Sequence, residues 1–134
     1  MSIGYRATRV GTILAVADVR ASTAFYTGAI GFEVEASYDD PPYATLVLGP
    51  ARLSLAERGH PADDRPGVEL EPPGDPSRTS AMIVVEVDDA GSAFESLSAS
   101  GVQTLAPPYH PPWGGCRFFC VDPDGYVIEI EEPA

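Results

Sequence analysis

Glu129 stands in the run Tyr126-Val127-Ile128-Glu129-Ile130-Glu131, an ionisable group set among apolar neighbours. In an extended chain Val127, Glu129 and Glu131 share one face and Tyr126, Ile128 and Ile130 the other. If the ring-and-aliphatic face packs against helices, Glu129 points into whatever the opposite face encloses. A carboxylate in that position can meet a cation or a hydrogen-bond donor, or act as a general base. Upstream, Pro107-Pro108-Tyr109-His110-Pro111-Pro112-Trp113 sets two aromatics in a chain stiffened by prolines, so their rings are held ready at low entropic cost. His60 and His110 both fall in loops beside prolines and read by default as solvated; His110, between Tyr109 and Trp113, also counts as a candidate ligand contact. Cys116 and Cys120 share one face of a strand about 13 Å apart, beyond the roughly 7 Å that a disulfide tolerates. They read as buried apolar residues.

The elements that must position these groups follow from turn chemistry and alternation. Asp122-Pro123-Asp124-Gly125 is a tight turn, in which Pro presets φ, Asp side chains bond nearby backbone and Gly accepts positive φ. It joins Cys116 to Val121 and Tyr126 to Glu131 as a hairpin. The chain is one module written twice: Ile13-Leu14-Ala15-Val16-Ala17-Asp18 matches Val84-Val85-Glu86-Val87-Asp88-Asp89, and each strand runs into a helix capped by Asp18 or by Asp88/Asp89. The helices should face inward through Ala21, Phe25 and Ala29, and through Ala90, Phe94 and Leu97, and end at Gly31 and Gly101. Strands are expected over 32–38, 43–48 and 52–56 after the first helix, and over 102–105, 116–121 and 126–131 after the second. The resulting expectation is an α+β chain forming a single domain over 1–134, with module 1 about 11–57, an exposed Pro/Gly-rich linker over 58–80, and module 2 about 81–132.

Composition narrows the function classes. The 134 residues, 44% of them hydrophobic, suffice for one core. No run approaches the ~18 apolar residues of a membrane span, and the N-terminus lacks a signal peptide's apolar segment. A soluble, cytoplasmic protein is expected, with no membrane partner. A net charge of −12 repels phosphate backbones, which excludes nucleic acid and favours cationic partners.

Val16-Ala17-Asp18, Phe25-Tyr26, Gly31-Phe32 and Asp122-Pro123-Asp124-Gly125, set in this doubled layout, resemble the vicinal oxygen chelate superfamily, which includes glyoxalase I, extradiol dioxygenases and the fosfomycin and bleomycin resistance proteins. The resemblance implies two βαβββ modules whose strands form a half-open curled sheet around a cavity, helices outside. It places the ligands of metal-using members at Gly11, Ser54, Met82 and Glu129, of which only Glu129 is a strong donor; a divalent metal needs three or more. No metal and no cofactor are therefore expected. Strand alternation puts Gly11, Ile13 and Ala15, and Met82, Val84 and Glu86, on the cavity side. Trp113-Gly114 ahead of the hairpin looks like the bleomycin-resistance branch, whose members stack planar antibiotic moieties on aromatic side chains.

The leading expectation is a metal-free, non-catalytic protein that sequesters a planar aromatic, cationic or hydrogen-bonding, antibiotic-like molecule, giving drug resistance or self-protection. Tyr43, Tyr109 and Trp113 would stack, Met82 and Phe118 would pad the pocket, Ser54 and His110 would line it, and Glu129 would meet the polar handle. The alternative is a metal-free lyase or isomerase with Glu129 as general base. A homodimer is expected, because open sheet edges invite a partner.

Overall fold

The computed structural model describes residues 3–134, and the chain divides into two compact units, Met1–Glu71 and Pro72–Ala134. In the first, β1 (Gly11–Val16) leads into α1 (Val19–Phe25), which continues as a π-helical turn over Tyr26–Ile30. Strands β2 (Glu33–Asp39), β3 (Pro42–Leu48) and β4 (Ala51–Glu57) follow. The sheet order is β1-β4-β3-β2, with β1 parallel to β4 and the other pairs antiparallel. Asp18 starts the helix as expected, its Oδ1 accepting from the amides of Arg20 at 2.9 Å and Ala21 at 3.2 Å. Gly31, at φ +110°, ends it.

Leu14, Val16, Leu46, Leu53 and Leu55 fill the helix-facing side of this sheet. Each such side chain, fully buried, stabilises by about 1.5–3 kcal/mol. The helix presents Val19, Ser22 and Tyr26 inward instead of the expected Ala21, Phe25 and Ala29. Tyr26 sets this rotation: it is fully buried, with ring centroids 5.0 Å from Phe25 and 5.8 Å from Phe32, both edge-on. A large ring gains more by burial than alanines do.

The second unit contains β5 (Ile83–Glu86), α2 (Ala90–Ala99), β6 (Cys116–Val121) and β7 (Val127–Glu132). Its order is β5-β7-β6; β5 runs parallel and β6 antiparallel to β7. Asp89 caps α2 through Ser92 N at 3.0 Å, and Glu132 Oε1 takes the Ala90 amide at 2.9 Å. Ala90 and Leu97 are buried and Phe94 meets Phe118 edge-on at 5.3 Å, the inward stripe expected for this helix. Asp122 Oδ1 accepts from Asp124 N and Tyr126 N, each at 2.9 Å, which closes the predicted turn.

The strand expected over 102–105 does not form. Only an isolated bridge joins Thr104 to Cys120, and Pro107 and Pro108, which have no amide to donate, follow at once. The described residues therefore hold seven strands and two α-helices, in two mixed sheets. The segment over 58–80 is shared between the units. Gly59 N bonds Leu70 O at 2.9 Å and Arg58 pairs with Glu71 at 3.4 Å on the first side, while Gly74 N bonds Asp124 O at 3.3 Å on the second. Cys116 and Cys120 are free and buried, and burial pushes the Cys120 thiol up to about 11, with Asp122 adding to the effect. Among the described residues no helix is long and apolar enough to cross a membrane.

Candidate functional site

Each sheet covers one face with its helix and leaves the other free of helix. In the second unit that free face is laid out by register. Val84 lies beside Glu129, which lies opposite Phe119; Glu86 lies beside Glu131, which lies opposite Arg117. Arg117 in turn bridges Tyr109, with amide-to-carbonyl bonds of 2.8 and 3.0 Å in both directions. Directly paired residues share a face. Two rows result: Val84, Glu129, Phe119 in one, and Glu86, Glu131, Arg117, Tyr109 in the next.

Trp113 hangs over the end of these rows. Gly114 N bonds Pro111 O at 3.0 Å, closing a turn around Pro112 and Trp113. Gly115, at φ +79°, lets this loop press on the end of β7, where a Cβ would stand 2.6 Å from Glu132 O. The indole is 72% exposed. The Arg117 guanidinium carbon lies 5.8 Å from its centroid and 5.5 Å from that of Phe119. A pocket of about 120 Å³ opens between Trp113, Arg117, Glu131 and Pro133.

Of the residues singled out in the sequence, Tyr109, Trp113 and Glu129 therefore share one side of one unit. Met82 precedes β5 and is 48% exposed. Phe118 does not pad this face: it is buried against Phe94 on the helix side, because its register partner is Ile130, not Glu129. Phe119 takes the place assigned to it. His110 is exposed. Tyr43 and Ser54 belong to the first unit, on the face of its sheet turned away from α1. Ser54 is buried with its Oγ 3.4 Å from Thr45 Oγ1. Tyr43 is half-buried, 5.3 Å from His60 and 6.5 Å from Tyr38.

His60 corrects its reading as a solvated loop residue: it is half-buried, its ring lies against Tyr43, its carbonyl accepts from Arg65, and its Nδ1 is buried without a partner among the described residues. Arg117, Phe119 and His60 are the residues that the sequence reading missed. Alternation from Glu129 through the Asp-Pro-Asp-Gly turn would have found Phe119; nothing local signals His60.

Two strand–helix–strand modules, each with one sheet face given to its helix and one left for other contacts, define a doubled α+β fold. The chain belongs to the glyoxalase/bleomycin resistance protein/dioxygenase superfamily, whose model matches residues 8–130. It is 30% identical over 129 residues to a lactoylglutathione lyase of Salmonella typhimurium, covering 90% of this chain and 89% of that one. A glyoxalase/bleomycin resistance protein/dioxygenase from Nocardioides has a matching structure, with TM-score 0.74, 25% identity, and 96% and 85% of the two chains covered. A protein of unknown function from Agrobacterium tumefaciens shares the fold at TM-score 0.76 and 21% identity, over 99% and 100% of the two chains.

The four residues that the resemblance assigns to the ligand positions of metal-using members do not make a donor set for an ion. Gly11 offers no side chain, and a Cβ there would stand 3.3 Å from Arg52. Ser54 is engaged with Thr45, Met82 is an exposed thioether, and Glu129 alone is a hard donor. No group of three His, Cys, Asp or Glu suited to a metal occurs among the described residues.

Proposed function

We propose that this protein binds a planar aromatic small molecule on the Trp113 side of its second sheet, without a metal ion, and sequesters it. A cytotoxic, antibiotic-like compound is the kind of ligand meant, and resistance or self-protection the consequence. The observation that carries the reading is Trp113 itself: a large, exposed ring on a turn closed by its own backbone, beside Arg117, which also lies over Phe119 and pairs with Tyr109. An exposed indole offers a large apolar face on which a flat ligand can stack. Glu129, half-buried in the adjoining row and in no ion pair among the described residues, supplies the acceptor for a cationic or hydrogen-bonding group. Met82 and His110 extend the candidate contact set within the same unit, and a homodimer is the assembly proposed.

The test is a calorimetric titration with 9-aminoacridine, a flat cation, and with acridine, its less basic parent. Saturable binding of the cation, weakened in Glu129→Gln while acridine is held as before, is the expected result. A second reading, a metal-free lyase or isomerase using Glu129 as base, is favoured by the resemblance to a lactoylglutathione lyase. It requires turnover of lactoylglutathione by the chelator-treated protein that Glu129→Gln abolishes.

A further inference from the structure

Among the described residues, Arg117 is set apart from the other arginines. It projects from β6 onto the helix-free face, and its guanidinium carbon lies over two rings, Trp113 at 5.8 Å and Phe119 at 5.5 Å. Such stacking leaves the in-plane N–H groups as its remaining polar surface. Its Nε is buried without a hydrogen-bond partner among the described residues. Glu131 stands directly opposite on β7, yet the ion pairs formed among the described residues are Arg52 with Glu35 and Arg58 with Glu71. A buried donor with no acceptor is uncommon enough in folded proteins to call for a functional explanation.

A guanidinium flanked by two rings, its Nη groups in no ion pair among the described residues, suits a planar oxyanion, which it grips with two parallel hydrogen bonds. The pocket beside it, about 120 Å³ between Trp113, Arg117, Glu131 and Pro133, has room for a carboxylate and a few waters. The acidic groups facing this place, Glu86, Glu129 and Glu131, disfavour a free anion and favour one tethered to a cationic or donor group. Arg117 and Glu129 are diagonal neighbours across β6 and β7, roughly 7–8 Å apart between Cα atoms.

We propose that Arg117 is the specificity-determining residue of this site, and that the ligand is a zwitterionic planar aromatic whose carboxylate, or equivalent flat oxyanion, lies on Arg117 while its amino group faces Glu129. The proposal rests on the reading that the Trp113 face binds planar aromatics.

Three probes with one ring system test it: 9-aminoacridine, acridine-9-carboxylate and 9-aminoacridine-4-carboxylate, followed by quenching of the single tryptophan, Trp113. The zwitterion should bind the wild type about tenfold tighter than 9-aminoacridine, the gain expected of a charge-assisted bidentate contact. Arg117→Gln should erase that gain and leave 9-aminoacridine binding in place, and Arg117→Lys, a cation without the fork, should restore only part of it. A carboxylate that is neutral or unfavourable in the wild type, or a gain that survives in Arg117→Gln, overturns the assignment while planar binding stands. If no probe quenches Trp113, planar binding itself is wrong and the role of Arg117 falls with it. Should Arg117→Gln fail to fold, the wild-type ranking of the three probes still decides.

Discussion

Phe118 and Phe119 are adjacent in sequence and opposite in fate. Phe118 faces Phe94 and the core, at 2% exposure; Phe119 faces Arg117 and the row of Glu129. Phe118→Ala should lower stability by about 3–5 kcal/mol, as cavity-forming aromatic truncations do, with no specific effect on ligand affinity in the protein that remains folded. Phe119→Ala should cost less stability and weaken planar-ligand binding by about 1 kcal/mol, the worth of one aromatic pair. Denaturant unfolding and calorimetry on both variants check this, and equal effects on both properties would contradict the assignment of faces. Glu129 was legible from alternation alone, since Ile128 and Ile130 are buried on the other side. The same alternation carried across the turn yields Phe119, whereas the approach of Arg117 to Trp113 depends on the bend of the Pro111–Gly114 turn, which spacing does not encode.

At the scale of elements, local chemistry predicted most of what formed. The caps Asp18 and Asp89, the stop at Gly31 and the Asp122 turn are short-range devices whose partners lie within a few residues, so each was readable. What failed depended on longer range: residues 102–105 gain only one bridge because the prolines after them cannot extend a ladder, and the inward stripe of α1 turns to bury Tyr26. The Asp89 cap has a pH signature. Hydrogen bonds from Ser92, backbone first and then side chain, hold its carboxyl below the usual range. A carboxyl depressed on folding stabilises above its unfolded pKa, and the benefit is lost as pH falls through the folded value. Asn caps almost equally well and does not titrate. The melting temperatures of wild type and Asp89→Asn should therefore differ most at neutral pH and converge in acid; a constant difference would show that the charge contributes nothing.

For the molecule as a whole, family membership fixes the fold and leaves the chemistry open, because one fold hosts many functions. The doubled module was visible in the sequence because both copies keep the strand-to-Asp junction, Val16 to Asp18 and Val87 to Asp89. Because Gly11, Ser54 and Met82 supply no strong donor, elemental analysis should find no stoichiometric Zn, Fe, Ni or Mn, and chelator should leave the melting temperature unchanged, since a bound metal would stabilise by mass action. Light scattering should report a dimer at micromolar concentration. If Trp113 is a binding surface and not a lid, Trp113→Ala will separate the two when 9-aminoacridine affinity and melting temperature are measured on the same preparation. Affinity should fall by about 1–3 kcal/mol, the worth of stacking a flat base on an aromatic side chain, with the melting temperature nearly unchanged. A variant that melts several degrees lower yet binds normally would make Trp113 a packing residue and leave the ligand without its stacking surface.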